Sequence, residues 1–326
     1  MKKKSLFRVA TRTLAALAVV AAGSSSALAA YSQAVFFGDS LSDTGNLYAL
    51  SGDAVPVSPP YYDGQFSNGP VWTRDFAAAL GLSATPFVDG GTNYAIAGAT
   101  MLDYAGVTPV VPAGLSTYLG ANVVDANALY VILGGGNDIK YAAGLDAATA
   151  VANITNAALA VDNMVQTLYA AGARNILVGN LPDIGKTPLA AADPATSAGA
   201  TLLTQIFNST LAAALANSEV ADVGLDLDTL DLYGLMNSVI ADPTTYGFSN
   251  VTDACKSGDL GAPGTVCADP NSYLFWDAFH PTAKAHMLIA DTALRAVPEP
   301  GALMLAIAGL AAVFWSRSRM RRGAAV

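Results

Sequence analysis

Residues 34–46 read AVFFGDSLSDTGN. The first five are apolar, aromatic or small, and such a run bounded by turn residues predicts a buried β-strand. Gly38 permits a tight turn, so Ser40 falls where the strand gives way to a helix. A serine at that position has an exposed hydroxyl and an outward N–H, which suit it to hold an oxyanion. A helix-capping serine is the alternative interpretation.

Outward from this stretch, short apolar runs alternate with long helical patterns, and no linker divides residues 31–296. The predicted strands are 34–38, 129–133, 175–179 and 220–227, and the predicted helices are 70–80, 147–171, 198–217, 230–240 and 281–296. This alternation predicts a parallel sheet covered on both faces, a three-layer α/β/α sandwich. Ligands of such sheets bind at the carboxyl ends of the strands.

The sequence contains two histidines, and one of them has an acid at a useful spacing. His280 follows Asp277 by three residues in the stretch WDAFHP, so one turn of chain places the carboxylate beside Nδ1. Nε2 is then free to take a proton from a serine, for which a base is required at neutral pH. His286 lies inside a predicted helix without a nearby acid, and we interpret it as a packing residue.

Two glycine-containing stretches add candidate hydrogen-bond donors. Residues 133–138 read LGGGND at the end of a predicted strand, where the side-chain amide of Asn137 would donate to a developing oxyanion. A phosphate cradle is the alternative, although no Lys-Ser or Lys-Thr pair follows and the spacing differs from the dinucleotide fingerprint. Residues 93–99 read NYAIAGA, and Gly98 in this stretch presents an unobstructed N–H.

Taken together, these motifs resemble the SGNH/GDSL lipase–esterase family. Residues 38–41 read GDSL, Gly98 matches the second block, residues 135–138 match the third and residues 277–281 match the last. The resemblance runs in order through most of residues 34–296. It implies a flavodoxin-like parallel sheet of about five strands.

The resemblance also implies a role for each site residue and no metal or cofactor. Ser40 would be the nucleophile, His280 the general base and Asp277 the residue that orients the histidine. The N–H groups of Ser40 and Gly98 and the amide of Asn137 would form the oxyanion hole. No catalytic position departs from the family pattern.

The composition and the charge distribution indicate which classes of partner are unsuited to this protein. Hydrophobic residues make up 53% of the chain and charged residues 13%, which predicts a large core and argues against disorder. The formal net charge is −9, but nine of the 16 basic residues lie in the first twelve and the last ten positions. Residues 31–296 therefore hold 7 basic residues against 24 acidic ones, which argues against nucleic acid and anionic lipid as partners.

The first residues have the layout of a secretory signal peptide. A basic start precedes an apolar stretch at 14–22, and Ala-Leu-Ala at 27–29 fits a small-x-small cleavage site. We predict that signal peptidase removes residues 1–29. A membrane anchor is the alternative, but the apolar stretch is short for a membrane span.

The other end, residues 297–326, combines Pro-Glu-Pro at 298–300, fifteen mostly apolar residues and four arginines. It resembles the PEP-CTERM sorting tail of Gram-negative bacteria, which an exosortase processes. A plain C-terminal membrane anchor is the alternative. Both interpretations place residues 30–296, the predicted hydrolase domain, in the periplasm, at the cell surface or outside the cell, with a transient or retained anchor.

The predicted export affects whether the two cysteines of the sequence are expected to form a disulfide. Cys255 and Cys267 lie in a loop rich in Gly, Pro, Asp and Ser, and an oxidising compartment favours a disulfide between them. A pair of free buried thiols is the alternative. Two cysteines exclude a disulfide scaffold and a four-cysteine metal site.

The sequence predicts an exported carboxylic-ester hydrolase that acts on lipid esters, short-chain esters or an acetylated polysaccharide. Transfer of the acyl group to another alcohol is an alternative, as is a surface binding protein without turnover. Four aromatic residues on a loop rich in Gly, Pro and Asn would wall an acyl or sugar pocket or would pack the loop onto the body: Tyr61, Tyr62, Phe66 and Trp72.

Overall fold

The structure is a computed structural model that describes residues 31–104 and 109–297. The predicted signal peptide and residues 298–326 of the predicted sorting tail lie outside the described residues. Among the described helices, none is both long enough and apolar enough to cross a membrane.

Strands and helices alternate along the described chain. The strands are β1 (Ala34–Gly38), β2 (Leu129–Leu133), β3 (Asn175–Gly179), β4 (Asp226–Leu230), β5 (Asn250–Ala254) and β6 (Tyr273–Phe275). The α-helices are α1 (Asn46–Leu50), α2 (Trp72–Ala79), α3 (Val111–Ala121), α4 (Gly136–Ala142), α5 (Ala147–Ala171), α6 (Pro188–Ala191), α7 (Pro194–Ala221), α8 (Leu232–Ala241) and α9 (Ala283–Ala296). Single 3₁₀ turns occupy Phe87–Asp89, Ile184–Lys186 and Pro270–Ser272.

The central sheet is parallel and has the strand order β1-β2-β3-β4. Ala34 is in register with Leu129, which pairs in turn with Asn175. Because all four strands run the same way, their carboxyl ends share one edge, and the segments after β1 and β2 meet there. A second, smaller sheet pairs β5 with β6, and β6 leads into residues 276–281.

Both faces of the sheet are buried, which explains the uninterrupted apolar runs of β1 and β2. Val35 and Phe37 pack on one face with residues of α3, α5 and α7. Phe36, between them, points to the opposite face and packs with residues of α2, α8 and α9. The predicted three-layer α/β/α sandwich is confirmed.

The strand count needs correction. Among the described residues the central sheet has four paired strands, where about five were predicted. At the outer edge of β1, residues 92–96 run alongside Phe36 as an isolated parallel bridge instead of a strand. Tyr94 donates its N–H to the carbonyl of Phe36, and Ile96 donates to that of Gly38. An irregular segment therefore covers the outer side of β1.

The element bounds differ most near β4. The strand predicted at 220–227 was wrong in position, because α7 continues to Ala221 and the strand begins at Asp226. The alanine-rich end of α7 favours helix over strand, which accounts for the extension. The helix Ala147–Ala171 was predicted with its observed bounds, and Asp146 caps it by accepting a hydrogen bond from the N–H of Thr149. Helix α3 was not predicted.

Candidate active site

The residues singled out in the sequence converge at the carboxyl edge of the sheet. Ser40 follows β1, Asn137 lies in the first turn of α4 after β2, and His280 follows β6. The hydroxyl oxygen of Ser40 lies 2.9 Å from Nε2 of His280. The packing therefore joins three segments that are far apart in the chain.

The turn after β1 explains the position of Ser40. The N–H groups of Ser42 and Asp43 both donate to the carbonyl of Asp39, which folds the chain back at this point. A Cβ built on Gly38 would lie 2.4 Å from the carbonyl oxygen of Leu133 on β2, so only glycine allows the two strand ends to approach this closely. Ser40 itself is buried, which corrects the expectation of an exposed hydroxyl.

Asp277 and His280 form the second part of the site within one turn of chain. Oδ1 of Asp277 accepts the N–H groups of Phe279 and His280, and Oδ2 lies 2.8 Å from Nδ1 of the imidazole. Burial alone would raise the pKa of Asp277, but the neighbouring imidazole and these hydrogen bonds lower the pKa to about 2. The carboxylate is therefore ionised and fixes the imidazole with Nε2 towards Ser40.

The third part is a set of hydrogen-bond donors near Ser40. Gly98 has a φ of +83°, a backbone conformation that other residues rarely adopt. The amide of Asn137 donates one hydrogen bond to the carbonyl of Ala99, which holds its side chain beside the loop. Within residues 31–104 and 109–297, the N–H groups of Ser40 and Gly98 have no protein acceptor. These N–H groups are available to an oxyanion.

Two buried aspartates hold this loop in place, and sequence reasoning did not assign them this role. Oδ2 of Asp43 accepts the N–H of Ala97, which ties the turn after β1 to the loop of Gly98. Asp138 accepts the N–H groups of Met101 and Leu102, which ties the same loop to α4. Both lie inside the quoted motifs, so their position next to site residues was the available signal.

Asp39 is a third buried carboxyl next to the site. Its Oδ1 accepts the N–H of Leu41, and its side chain is almost fully buried. Burial raises the pKa of Asp39 to about 6, while the hydrogen bond from Leu41 and the nearby His280 oppose the shift. Ionisation of Asp39 at neutral pH therefore lowers the free energy of unfolding.

Three of the four aromatic residues singled out between positions 61 and 72 are buried, in line with the alternative that they pack the loop onto the body. Trp72 and Tyr61 are buried, and the ring of Phe66 packs 4.9 Å from the imidazole of His280. Tyr62 is 40% exposed. The hydroxyl of Tyr61 donates to Oδ2 of Asp277 at 2.7 Å. Tyr61 and Phe66 therefore pack this part of the loop against the Asp277–His280 turn.

The structure also shows the contacts of the two cysteines and of the second histidine. Cys255 and Cys267 form a disulfide that closes the loop before β6. His286 is fully buried on α9, and its Nδ1 accepts the N–H of Trp72. His286 therefore packs helix α9 against helix α2 and does not contact Ser40 through any hydrogen bond in the described chain.

An apolar cavity of about 70 Å³ opens beside the site. It lies between α8, α9 and the ends of β2 and β6, and Asp39 and Leu41, which flank Ser40, line it. The four aromatic loop residues do not line it. Sequence reasoning missed this cavity, since its walls come from five separate segments of chain.

Comparison with known proteins adds a family and several relatives. A sequence model of the family "GDSL-like Lipase/Acylhydrolase" matches residues 35–293. The chain is 33% identical to an "Uncharacterized protein in trpE-trpG intergenic region" of Pseudomonas putida, over 94% of this chain and 54% of the relative. It is 30% identical to the "Phosphatidylcholine-sterol acyltransferase" of Aeromonas hydrophila, over 75% of this chain and 70% of that protein. The chain thus spans about half the length of the Pseudomonas relative.

Among solved structures, a member of the lipolytic protein G-D-S-L family from Veillonella parvula matches with 16% identity and a TM-score of 0.45, over 81% of this chain and 96% of that one. The family match covers most of the described residues and includes all the site residues discussed above. The chain therefore belongs to the GDSL-like lipase/acylhydrolase family.

Proposed function

We propose that this protein is an exported serine esterase that hydrolyses carboxylic esters through an acyl-enzyme on Ser40. The observation that carries the proposal is the hydrogen-bonded line from Asp277 through His280 to the hydroxyl of Ser40. A serine hydroxyl is a weak nucleophile at neutral pH and needs an adjacent base that a third group orients. The line supplies these parts in the required order.

In the acylation step, Oγ of Ser40 attacks the ester carbonyl carbon and its proton passes to Nε2 of His280. The carbonyl oxygen becomes an oxyanion and accepts hydrogen bonds from the N–H groups of Ser40 and Gly98 and from the amide of Asn137. Each such donor is worth roughly 2.7–4 kcal/mol in the transition state. His280 then gives its proton to the leaving alcohol as the carbon–oxygen bond breaks.

In the deacylation step, water replaces the alcohol. His280 takes a proton from the water as it attacks the acyl carbon, the same donors hold the second oxyanion, and Ser40 leaves with the proton returned by His280. The ionised Asp277 stabilises the imidazolium that forms in both steps. The products are a carboxylic acid and an alcohol.

Acyl transfer to a second alcohol is the other candidate, and the similarity to the acyltransferase of Aeromonas hydrophila favours it. The two reactions share the acyl-enzyme and differ only in the acceptor. Incubating the protein with an ester and a sterol or glycerol distinguishes them: a new ester product supports transfer, and free acid alone supports hydrolysis. Removal of acetyl groups from an exported polysaccharide uses the same steps and differs in substrate.

Export is part of the proposal and has its own test. We propose that signal peptidase removes residues 1–29 and that an exosortase processes the tail at 297–326. Mass spectrometry of both termini of the protein from its natural host would show cleavage after Ala29 and a shortened C-terminus. An intact N-terminus in the cytoplasmic fraction would contradict export.

The nucleophile is tested with a fluorophosphonate probe, which labels activated serines covalently. We expect the full chain to hydrolyse p-nitrophenyl esters, and peptide mapping to find the label on Ser40. Ser42 offers a matched control, because its hydroxyl accepts a hydrogen bond from Nε1 of Trp72 and lies outside the line to His280. A Ser42→Ala variant should still be labelled. Absence of both labelling and ester hydrolysis would favour a binding protein without turnover.

A further inference from the structure

The apolar cavity lies next to the candidate active site. Asp39 and Leu41, on either side of Ser40 in the chain, line it together with Gly136 and Phe279, whereas Ser40 and His280 are not among its lining residues. A Cβ built on Gly136 would lie 3.9 Å from Oδ2 of Asp39 and 4.0 Å from Cζ of Phe279, so these three lining residues lie close together. Gly136 and Phe279 directly precede the oxyanion amide and the catalytic imidazole.

The rest of the cavity extends away from the sheet edge between two helices. Leu235 and Val239 of α8 line it on one side, and Ala285 and Leu288 of α9 line it on the other. Its volume of about 70 Å³ is well above the roughly 10–15 Å³ that one water needs, and cavities with apolar walls bind hydrocarbon. The space is therefore suited to an apolar group.

Few polar side chains line the cavity. The hydroxyl of Thr187 donates to the carbonyl of Ile184 and accepts the N–H of Ala190. Asp39, the one charged side chain among the lining residues, accepts the N–H of Leu41 at Oδ1, and its Oδ2 is without a hydrogen-bond partner in the described chain. A sugar or a charged group placed here would lose most of its hydrogen bonds to water without replacement, which disfavours binding of either.

We propose that this cavity holds the first carbons of the substrate's acyl chain, and that the protein acts on esters of linear acyl groups longer than acetyl. The inference rests on the proposed function, because the chain enters as the acyl part of the ester that Ser40 attacks. Each methylene that moves from water into the cavity favours binding by about fourfold. An acetyl group would leave most of the cavity empty and would gain little from it.

The proposal is tested by changing the cavity in both directions while the ester series reports the chain length. The full chain and its variants are assayed with p-nitrophenyl acetate, butyrate, octanoate and laurate. Ala285→Phe fills the cavity from α9, and Leu288→Ala enlarges it. Met287→Phe is the matched control, since Met287 lies on the same helix and is 51% exposed.

We expect kcat/KM of the unmodified protein to rise from acetate to octanoate. Ala285→Phe should lower kcat/KM for octanoate by about tenfold or more and leave acetate within about twofold, so acetate also reports an intact fold. Leu288→Ala should shift the preference towards laurate, and Met287→Phe should change nothing. If Ala285→Phe also loses acetate hydrolysis, the chain-length preference of Leu288→Ala tests the proposal in its place.

The result that would overturn the proposal is a chain-length profile that neither variant changes while the esters are still hydrolysed. If the unmodified protein hydrolyses none of the esters, the proposed function itself fails, and the acyl site falls with it. The two failures are therefore distinguishable.

A second inference comes from the opposite side of Asp277. The hydroxyl of Tyr61 donates to Oδ2 of Asp277, the same oxygen that faces the imidazole, and accepts the N–H of Gly261 at 2.9 Å. Burial and the nearby carboxylate raise the pKa of Tyr61 well above its ordinary value, so the hydroxyl remains a donor. Lys256 lies with Nζ 5.2 Å from the centre of the Tyr61 ring.

Both Lys256 and Gly261 belong to the loop that the disulfide Cys255–Cys267 closes. Nζ of Lys256 is held inside this loop by the carbonyls of Ser257 and Asp259. The backbone N–H of Lys256 donates to the carbonyl of Trp276, the residue before Asp277. The loop therefore contacts the catalytic turn through the backbone and through Tyr61.

We infer that Tyr61 is a positioning residue for Asp277 and that the disulfide-closed loop, residues 255–267, holds Tyr61 in place. A carboxylate that accepts hydrogen bonds on both oxygens has one orientation, and the imidazole it binds then has one orientation too. Displacement of catalytic groups by about 1 Å costs as much as a hundredfold in rate. The loop thus acts on the reaction through the direction of one carboxylate oxygen.

The test separates positioning from substrate binding and from stability. Tyr61→Phe should lower kcat by about tenfold or more with KM within about twofold. It should also shift the low-field proton resonance of Nδ1–H of His280, which a merely structural role would leave unchanged. Tyr62→Phe, at the exposed neighbour, is the matched control and should match the unmodified protein.

The loop is tested by the double variant Cys255→Ser with Cys267→Ser. We expect the same loss of kcat and the same resonance shift as for Tyr61→Phe, and little further loss when Tyr61→Phe is added, because both changes act on one contact. Unchanged kcat and an unchanged resonance in Tyr61→Phe would overturn the inference. Fully additive losses would overturn the part assigned to the loop.

Discussion

The hydroxyl oxygen of Ser40 and Nε2 of His280 lie 2.9 Å apart, although 240 residues separate them in the chain. Both side chains are buried, so the hydrogen bond is shielded from water, and Phe66 covers the imidazole. A proton can pass between the two atoms without rearrangement of the backbone.

Replacing the nucleophile should abolish catalysis and preserve the fold. Ser40→Ala removes the attacking oxygen, and loss of such a nucleophile lowers kcat by at least about 10⁴-fold. The side chain is small and makes its hydrogen bond only to His280, so the thermal midpoint should change by a few degrees at most. Loss of p-nitrophenyl octanoate hydrolysis with an unchanged circular dichroism spectrum would support the assignment of Ser40. Hydrolysis at the original rate would rule out Ser40 as nucleophile.

Removing the oxyanion amide should affect the transition state more than the bound substrate. We expect Asn137→Ala to lower kcat by about 10²–10³-fold with a small change in KM. Asn122→Ala is a suitable control, because Asn122 precedes β2 and lies towards the other edge of the sheet. Steady-state kinetics on both variants would check this, and a loss confined to KM would instead assign Asn137 to substrate binding.

The buried carboxyl of Asp39 should make the protein less stable as the pH rises. Its pKa is raised to about 6 in the folded state from 3.8, so the unfolded chain loses its proton first and stability falls between these two values. Asp39→Asn keeps an oxygen for the N–H of Leu41 and cannot ionise. Urea unfolding should show the variant gaining about 1–3 kcal/mol at pH 7.5 relative to pH 4. An equal difference at both pH values would contradict this assignment.

His286 should have the opposite effect in the same range. Burial, with a smaller contribution from His280, lowers its pKa to about 3 from 6.5, so the unfolded chain binds a proton first as the pH falls. Its stabilising contribution is complete above about pH 6.5 and is lost towards pH 3. His286→Gln should flatten this acid-side loss of unfolding free energy, whereas Met287→Gln on the exposed face should retain it. A His286→Gln variant with the original pH dependence would disprove the assignment.

The sequence alone determined the parts of the fold that depend on local pattern. The apolar runs at 34–38, 129–133 and 175–179 were predicted with their observed bounds, because a strand buried on both faces needs an uninterrupted apolar run. The end of α7 and the start of β4 were not, because the alternating pattern at 220–227 resembles a strand, whereas the helix continues to Ala221 and the strand begins only at Asp226, where it pairs with β3. Helix α3 was missed because its apolar positions form no clear pattern.

The site shows the same division. Residue types and spacing pointed to Ser40, His280 and Asn137, since that chemistry needs a hydroxyl, an imidazole and an amide at strand ends. Only the tertiary structure decided that Tyr61 faces Asp277 and that an apolar cavity lies between α8 and α9. The physical reason is that side-chain direction and empty space arise when distant segments pack together, and neither is encoded in the spacing of residues along one segment.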